Sequence, residues 1–333
     1  EYRVVNSKSK HLIDFGFVAE NNKSSKTHFF SNTNKQISLN NFDESELNIQ
    51  LERTSNDTYL KVYKIKSPLI TEEDTLTSSV SIDGYRPDLS FNIDFRAFED
   101  LNKPKSDRYE YVYPSYNLLK EFGENSEING NFSLNSTGYL KNSDTNTSEN
   151  VIINDLNFNS IPTFTEEGIK NSYNFLIKNT NVDASNSLKF KKNTDSNIAS
   201  IIEYSSSYPL KKEGNDYNQT LKPMTSIRFG SGNTKDVSNE DKRIDTTNIF
   251  SLNRIGSNDT IESGASFTYG FDFSQTNKVD EEVFGAQIAN IFRLEENRYL
   301  PRSSNLGSKT SDIVGNFDYA PNNTFKVGYD FSL

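Results

Sequence analysis

In five stretches of this chain every second residue is apolar, and the residues between are polar and often charged. Leu89, Phe91, Ile93, Phe95 and Ala97 alternate with Ser90, Asn92, Asp94 and Arg96. Phe267, Tyr269, Phe271 and Phe273 alternate with Thr268, Gly270, Asp272 and Ser274, and Leu47, Ile49 and Leu51 with Asn48, Gln50 and Glu52. Ile13, Phe15, Phe17 and Ala19 share one face, and Phe325 to Leu333 repeats the pattern. Successive strand side chains point to opposite faces, so period two makes strands with one apolar face. Helical spacing is nearly absent. The fold class expected is all-β and antiparallel.

One apolar face per strand fits two architectures. In a soluble sandwich or solenoid the apolar face turns inward. In a transmembrane barrel it turns toward lipid, and the polar face lines a wet lumen. Three features favour the barrel. Many strands run for about nine to eleven residues, the length a tilted strand needs to cross a bilayer. Charges such as Asp94, Arg96 and Asp272 fall in mid-strand, where a lumen accepts them. Short and long connections alternate, as in outer-membrane barrels.

The alternation sets a parity. With the turn at 85–88 on one side, the other short connections on that side fall near 6–10, 43–45, 120–126, 161–168, 210–218, 274–281 and 320–323. The opposite side takes 20–26, 55–75, 99–108, 139–149, 180–196, 230–261 and 295–310. The series closes only if "NIFSLNRIG" (Asn248 to Gly256) belongs to one long loop. It gives about 16 strands.

Composition fits a thin-cored protein. Only 33% of residues are hydrophobic, yet 24 are Phe and 17 are Tyr, which disordered chains lack. A net charge of −10, with no basic stripe, argues against a nucleic-acid partner. There is no cysteine, hence no disulfide framework or thiolate site. No run approaches the 18 apolar residues of a membrane helix, and no signal-peptide pattern opens the chain, which starts abruptly at "EYRVV" as a fragment would.

Catalytic and metal motifs are not found. His11 and His28 lack acidic or Cys neighbours at ligand spacing and read as surface or lumen residues. No nucleophile elbow, zinc-protease helix, P-loop or dinucleotide fingerprint occurs. "RFGSGN" (Arg228 to Asn233) opens a loop rather than a helix, and "DESE" and "TEED" read as solvated acidic turns. The expectation is no enzyme, no metal and no cofactor; a barrel lipase would depend on one of the two histidines.

Three stretches carry a family resemblance. In "IFSLNRIGSNDTIESGASFTYGFDF", Asn253, Arg254, Gly256, Asp259, Ile261, Glu262 and Gly264 fill a pattern of an apolar pair, Asp/Asn-Arg, Gly, then Asp-Arg-(Ile/Val)-Glu-x-Gly before a strand. Thr260 stands where that pattern has Arg. "GAQIANIFRLEENRYLPRSSNLGSKTSDIVGNFDYAPNNTFKVGYDF" ends in a Ser311, Asp312, Val314, Gly315 element before a Pro-Asn turn, with Asn305-Leu306-Gly307 reordering its middle part. "YNQTLKPMTSIRF" is similar to a Gln-Thr-Leu-Glu-Pro strand, with Lys222 in place of Glu. Together these resemble the barrel of the LptD family of lipopolysaccharide-assembly proteins.

The resemblance implies an outer-membrane translocon component that inserts lipopolysaccharide into the outer leaflet. The lipid would leave through a seam between the first and last barrel strands and the sugar would cross the lumen. Residues 1–333 would be part of a single barrel domain that is incomplete, with its first and last strands and the periplasmic jellyroll outside the chain. Implied partners are lipopolysaccharide, outer-membrane lipid, an LptE-like lipoprotein plug and an LptA-like bridge that docks on the jellyroll. Asn48, Gln50, Asn92, Asp94, Arg96 and Asp272 are the expected lumen-lining residues. Basic loop residues (Lys103, Lys105 and Arg108; Lys235, Lys242 and Arg243; Arg298, Arg302 and Lys309) are candidates to meet phosphates, and the loop at 230–261 is a candidate gate. The competing readings are a general or substrate-specific porin and a soluble carbohydrate-binding β-sheet protein.

Overall fold

A computed structural model describes residues 1–333 apart from 20–24, 126, 144–145, 191–193 and 323, and apart from the side chains of 124 and 125. Parts of the connections expected at 20–26, 120–126, 139–149, 180–196 and 320–323 therefore lie outside the described residues. The elements are β1 (Tyr2–Val5), β2 (Ser9–Val18), β3 (Lys26–Gln36), β4 (Glu44–Thr54), α1 (Tyr59–Tyr63), β5 (Thr75–Arg86) and β6 (Leu89–Asp100). Next come β7 (Tyr109–Asn125), β8 (Gly130–Ser143), β9 (Thr147–Ser160), β10 (Thr163–Phe164), β11 (Lys170–Ser185) and β12 (Asp195–Ser207). The chain closes with β13 (Leu210–Glu213), β14 (Tyr217–Ser231), β15 (Gly264–Asn277), β16 (Glu282–Arg293), β17 (Val314–Asn322) and β18 (Phe325–Ser332).

The strands form one antiparallel sheet of 18, with neighbours in sequence paired as neighbours in space. Two of them are continuations. β9 and β10 both pair with β11, and β12 and β13 both pair with β14. Pro162 and Pro209 mark the two interruptions; a proline has no N–H for the ladder. Counted by path, the described residues form sixteen strands, as the connection parity predicts. Among the described residues β1 pairs only with β2, and β18 only with β17, so the sheet ends on unpaired edges.

Strand ends differ from expectation in several places; β7, for one, runs to Asn125 through most of the turn expected at 120–126. β8 runs to Ser143 and β9 resumes at Thr147, so strand occupies most of the long loop expected at 139–149. β17 continues to Asn322, through the expected turn at 320–323. "DESE" is not a free acidic turn: Glu44, Ser45 and Glu46 open β4. By contrast, residues 232–263 hold no strand, and "NIFSLNRIG" lies inside that loop.

The chain divides into two compact units. The first holds Glu1–Glu121, Leu134–Asn154 and Thr180–Ser196; the second holds Phe122–Ser133, Asp155–Asn179 and Asn197–Leu333. In the first, the ladders set Phe15 opposite Phe29, Ile49 opposite Val80 and Val80 opposite Phe95. Phe15, Phe29, Val80 and Phe95 are exposed. The other face sets Asn34 opposite Asn48 and Ser81 opposite Asp94, and Asp94 is buried.

The second unit repeats the arrangement. Ile202 faces Phe229, Ile227 faces Phe267 and Phe267 faces Phe292, all of them exposed. Phe229 is 58% exposed while its neighbour Arg228 is 2% exposed. A water-soluble sheet would do the reverse, since exposed apolar area costs about 25 cal/mol per Å² in water and a buried unpaired charge costs several kcal/mol. The buried apolar clusters gather instead beneath long loops. Phe30, Tyr59, Leu60, Leu76 and Leu101 cluster with the 55–74 loop, and Val237, Ile244, Ile249, Ile255, Leu300 and Leu306 with the 232–263 and 294–313 loops.

Candidate functional site

In the first unit the polar face is a cross-strand ladder of amides and carboxylates. Asn34 Nδ2 donates to Glu46 Oε1 at 2.6 Å and to Asn48 Oδ1 at 2.9 Å. Asn48 Nδ2 donates to Asp83 Oδ2 at 3.4 Å, and Asn92 Nδ2 donates to Asp83 Oδ1 at 2.7 Å. Gln50 Nε2 donates to the buried Glu52 at 2.6 Å. Arg96 Nη2 lies 2.6 Å from Asp94 Oδ2. Five of the six residues expected to line a lumen, Asn48, Gln50, Asn92, Asp94 and Arg96, thus belong to this one face, because all are even-numbered positions of paired strands in matching register.

The sixth, Asp272, lies in the second unit on β15, opposite Lys222 of β14, with Nζ and Oδ2 3.5 Å apart. Further along the same face Lys178 holds Asp155 at 2.6 Å and donates to the Asn258 carbonyl at 2.8 Å. Arg228 lies opposite Glu203 in the β12–β14 ladder, with Nη2 to Oε2 at 3.1 Å.

The 232–263 loop is fastened to this wall through Glu262. Arg254 grips Glu262 with both ends of its fork, Nη2 to Oε1 at 2.7 Å and Nε to Oε2 at 2.9 Å. Arg228 Nη1 donates to Oε2 at 3.3 Å, and Arg293 Nη1 donates to Oε1. Arg254 also donates to Ser266 Oγ at 2.7 Å and Thr268 Oγ1 at 2.9 Å on β15. Arg228 donates to the Ser251 carbonyl and Arg293 to the Ser263 carbonyl, both in the loop. All four ionic side chains are buried. Burial alone would raise the Glu262 carboxyl, but Arg254, Arg228 and Arg293 outweigh it and hold its pKa at about 2.

Two glycines allow this approach. A Cβ on Gly230 would sit 2.1 Å from the Glu262 carbonyl oxygen, so no other residue lets the loop return so close to β14. Gly264 has φ +92, a conformation L side chains rarely adopt, and a Cβ there would come within 2.9 Å of Arg293 Nη2. Ile261 is buried with Leu176, Ala199 and Ile201. Asn253 donates to the Ser257 carbonyl at 3.1 Å and accepts the Gly256 N–H through its own carbonyl, closing a turn. Asp259 pairs with Lys235 at 2.7 Å. Thr260, where the pattern has Arg, accepts the Lys235 backbone N–H at 2.8 Å and is buried.

The second motif closes the neighbouring connection. Ser311 Oγ accepts the Ile291 N–H at 3.1 Å, and Asn290 donates to the Ser311 carbonyl at 2.9 Å. Asp312 accepts from Asn305 Nδ2 at 2.6 Å and from Ser332 Oγ at 3.0 Å. Val314 is buried, and Gly315 lies opposite Phe331 in the β17–β18 ladder. Neither motif presents a nucleophile–base pair, and no group of His, Cys, Asp or Glu among the described residues could hold a metal.

A family model described as LptD, LPS transport system D, matches residues 25–333. The chain belongs to the LptD family. No curated protein matches it. LptD proteins belong to the lipopolysaccharide transport machinery that builds the outer membrane, and an antiparallel sheet with exposed aromatics is consistent with their β-barrel.

Several residues of this LptD site escape a sequence reading. Arg228 reads as the start of a glycine-bearing loop, yet its flanks Ile227 and Phe229 place it on the polar face by parity. Glu203, Lys178 and Arg293 carry the same period-two signal. The phosphate-meeting role of the basic loop residues is weakened in turn. Arg108 is buried, with Asp57 at 2.6 Å and Glu99 at 3.5 Å, Lys235 is paired with Asp259, and Lys242 lies 3.4 Å from Glu240. His28 packs in the 55–74 cluster, with Nδ1 3.1 Å from the Tyr59 hydroxyl and Nε2 3.6 Å from Asp14; His11 bridges Ser9 and Thr33.

Proposed function

We propose that this chain is part of the wall of a single outer-membrane β-barrel that inserts lipopolysaccharide into the outer leaflet. The observation that carries the reading is the inversion of the two faces: aromatics stand exposed while their strand neighbours Asp94, Glu203 and Arg228 are buried. In lipid such a face is stable, and the polar face becomes the wall of a wet passage. A sugar chain needs many weak hydrogen bonds along its route, which Asn48, Gln50, Asn92, Asp94, Arg96 and Asp272 supply. The 232–263 loop acts as a gate held on that wall by Glu262. An LptE-like lipoprotein plugs the passage and an LptA-like bridge delivers substrate through a jellyroll outside this chain. No covalent step is required of any residue.

The test is site-specific photocrosslinking in the full-length protein during lipopolysaccharide transport in reconstituted liposomes. Probes at Asn48, Asn92 and Asp272 are expected to capture the saccharide, and probes at Phe229 and Phe267 to capture acyl chains. Small-solute conductance with no capture of lipopolysaccharide from the polar positions would favour a porin and overturn the reading.

A further inference from the structure

The polar face of the first unit ends differently at its two ends. Toward the long connections it is closed by the 55–74 loop, whose Tyr59 and Leu60 pack on Phe30. Toward the short connections it opens into a cavity of about 860 Å³. That volume falls within the range of small-molecule sites, about 300–1,000 Å³, rather than that of a uniform channel wall.

The lining has unspent hydrogen-bonding capacity. Among the described residues the side chains of Gln36, Glu44, Ser90, Asn117 and Asn135 line the cavity and have no hydrogen-bond partner in the protein. Planar amides and carboxylates grip vicinal hydroxyls two atoms at a time, and the half-exposed Tyr85 offers a ring for sugar C–H groups. Charge then selects among saccharides. Among the described residues that line the cavity, Asp43, Glu44, Glu46 and Asp83 stand with Lys8 as the one cation. Like charges brought together in a partly enclosed site repel one another and disfavour the wrong partner.

We infer that this cavity is a saccharide subsite that holds uncharged sugars and rejects phosphorylated or carboxylated ones. This rests on the transport reading above and refines it. The anionic inner part of a lipopolysaccharide would pass elsewhere on the wall, while a neutral outer stretch would dwell here. A basic peptide of a partner protein is the competing occupant, and the amides, hydroxyl and tyrosine favour the sugar, since a basic peptide needs only the carboxylates.

The experiment is titration of the purified full-length protein in detergent with maltohexaose, with a galacturonate hexamer, and with an oligolysine peptide. Maltohexaose is expected to bind, and the galacturonate at least about tenfold more weakly, which corresponds to about 1.4 kcal/mol. Asn117→Leu with Asn135→Leu should weaken maltohexaose binding about tenfold or more, because two hydrogen-bonding side chains are lost from the lining. Glu44→Gln with Glu46→Gln should bring the galacturonate to within a few-fold of the neutral sugar. These side chains are on a solvated wall, and an unchanged heat-modifiability shift on gels checks that each variant is folded. Equal affinity for both sugars, or binding of oligolysine alone, would overturn the subsite. Transport of lipopolysaccharide alongside such a result would leave the translocon reading standing; loss of both would sink the two together.

Discussion

The 55–74 loop and the 232–263 loop face the same physical problem, and each unit solves it with different forces. Each loop is long and must be fixed over a wall that is largely polar, with buried apolar residues only in patches beneath it. In the first unit the wall itself changes character at its end. His28 and Phe30 continue the polar row of β3 and stack at 4.7 Å, and α1 lays Tyr59 and Leu60 on them. The loop is fixed by burial, and Arg108 ties it down by gripping Asp57 at 3.0 and 2.6 Å. In the second unit the loop also buries Ile261 on Leu176, Ala199 and Ile201, but the wall keeps buried charges beside that patch, and the loop supplies the counter-ion. Glu262 is shared by three arginines, with Glu203 as the second carboxylate, so the buried group keeps one positive charge in excess. Apolar burial is non-directional and tolerates small shifts. A buried ionic group forms only when β12, β14, β15, β16 and the loop are all in register, and it fails as a unit.

Removing Glu262 is therefore the harshest way to break the comparison. Glu262→Ala leaves three guanidinium groups buried together, and taking one partner from a buried ionic group costs about 3–5 kcal/mol. Limited proteolysis should cut the full-length variant within 246–262 and leave 55–74 as resistant as before. Equal loss at both loops would show that the units are not held independently. Acid should reproduce part of this effect. The Glu262 pKa is depressed from its ordinary 4.5 to about 2. Its contribution is thus fully present above 4.5 and is lost as pH falls from there through about 2. Hydrogen exchange of the 246–262 amides should be flat from neutral pH to about pH 4.5 after correction for intrinsic rates, then accelerate, and Glu262→Gln should lack that acid limb.

Phe30→Ala tests the other side. Truncating a fully buried Phe costs about 3–5 kcal/mol in a core that cannot collapse and less where a loop can settle, so about 2–4 kcal/mol is expected here. The 55–74 loop alone should loosen, measured by the same proteolysis, with little dependence on salt. Asp57→Asn should weaken the same loop by about 1 kcal/mol or less, because Asp57 is largely exposed and water screens its pair with Arg108. Arg108 holds the Asp57 carboxyl below its usual range, so this contribution is present at neutral pH and fades in acid.

What a sequence reading could reach follows from the range of the forces involved. Strand spacing, face assignment and the sixteen paths were legible because period two is local and repeats in every strand. The loops were not, because their partners lie far away in sequence: Arg228 meets Glu262 and Arg108 meets Asp57 across dozens of residues, and composition cannot pair them. Hence a list of basic loop residues reads as free charge, although Arg108 and Lys235 already have carboxylates. The family pattern marked Arg254 and Glu262 eight residues apart without showing that a third and fourth charge come from the wall. Strand ends were the other blind spot. Proline at 162 and 209 breaks a strand, whereas Pro321 sits inside the end of β17.

The mildest test concerns Lys222, where the family pattern has Glu. Lys222 and Asp272 are directly opposite in the β14–β15 ladder, both about two-fifths exposed. Opposite charges across a ladder contribute roughly 0.2–1 kcal/mol, and like charges oppose by a similar amount. Lys222→Glu should lower the unfolding midpoint of the full-length protein slightly, more at low salt than at high salt. Adding Asp272→Lys should restore it, and the coupling in the double-mutant cycle isolates the pair. A coupling near zero would mean that Lys222 acts only through its place on the polar wall. A coupling of several kcal/mol would mean that this pair, like the group around Glu262, is drier than its exposure indicates, and the contrast between the open wall and the loop-covered wall would then have to be redrawn.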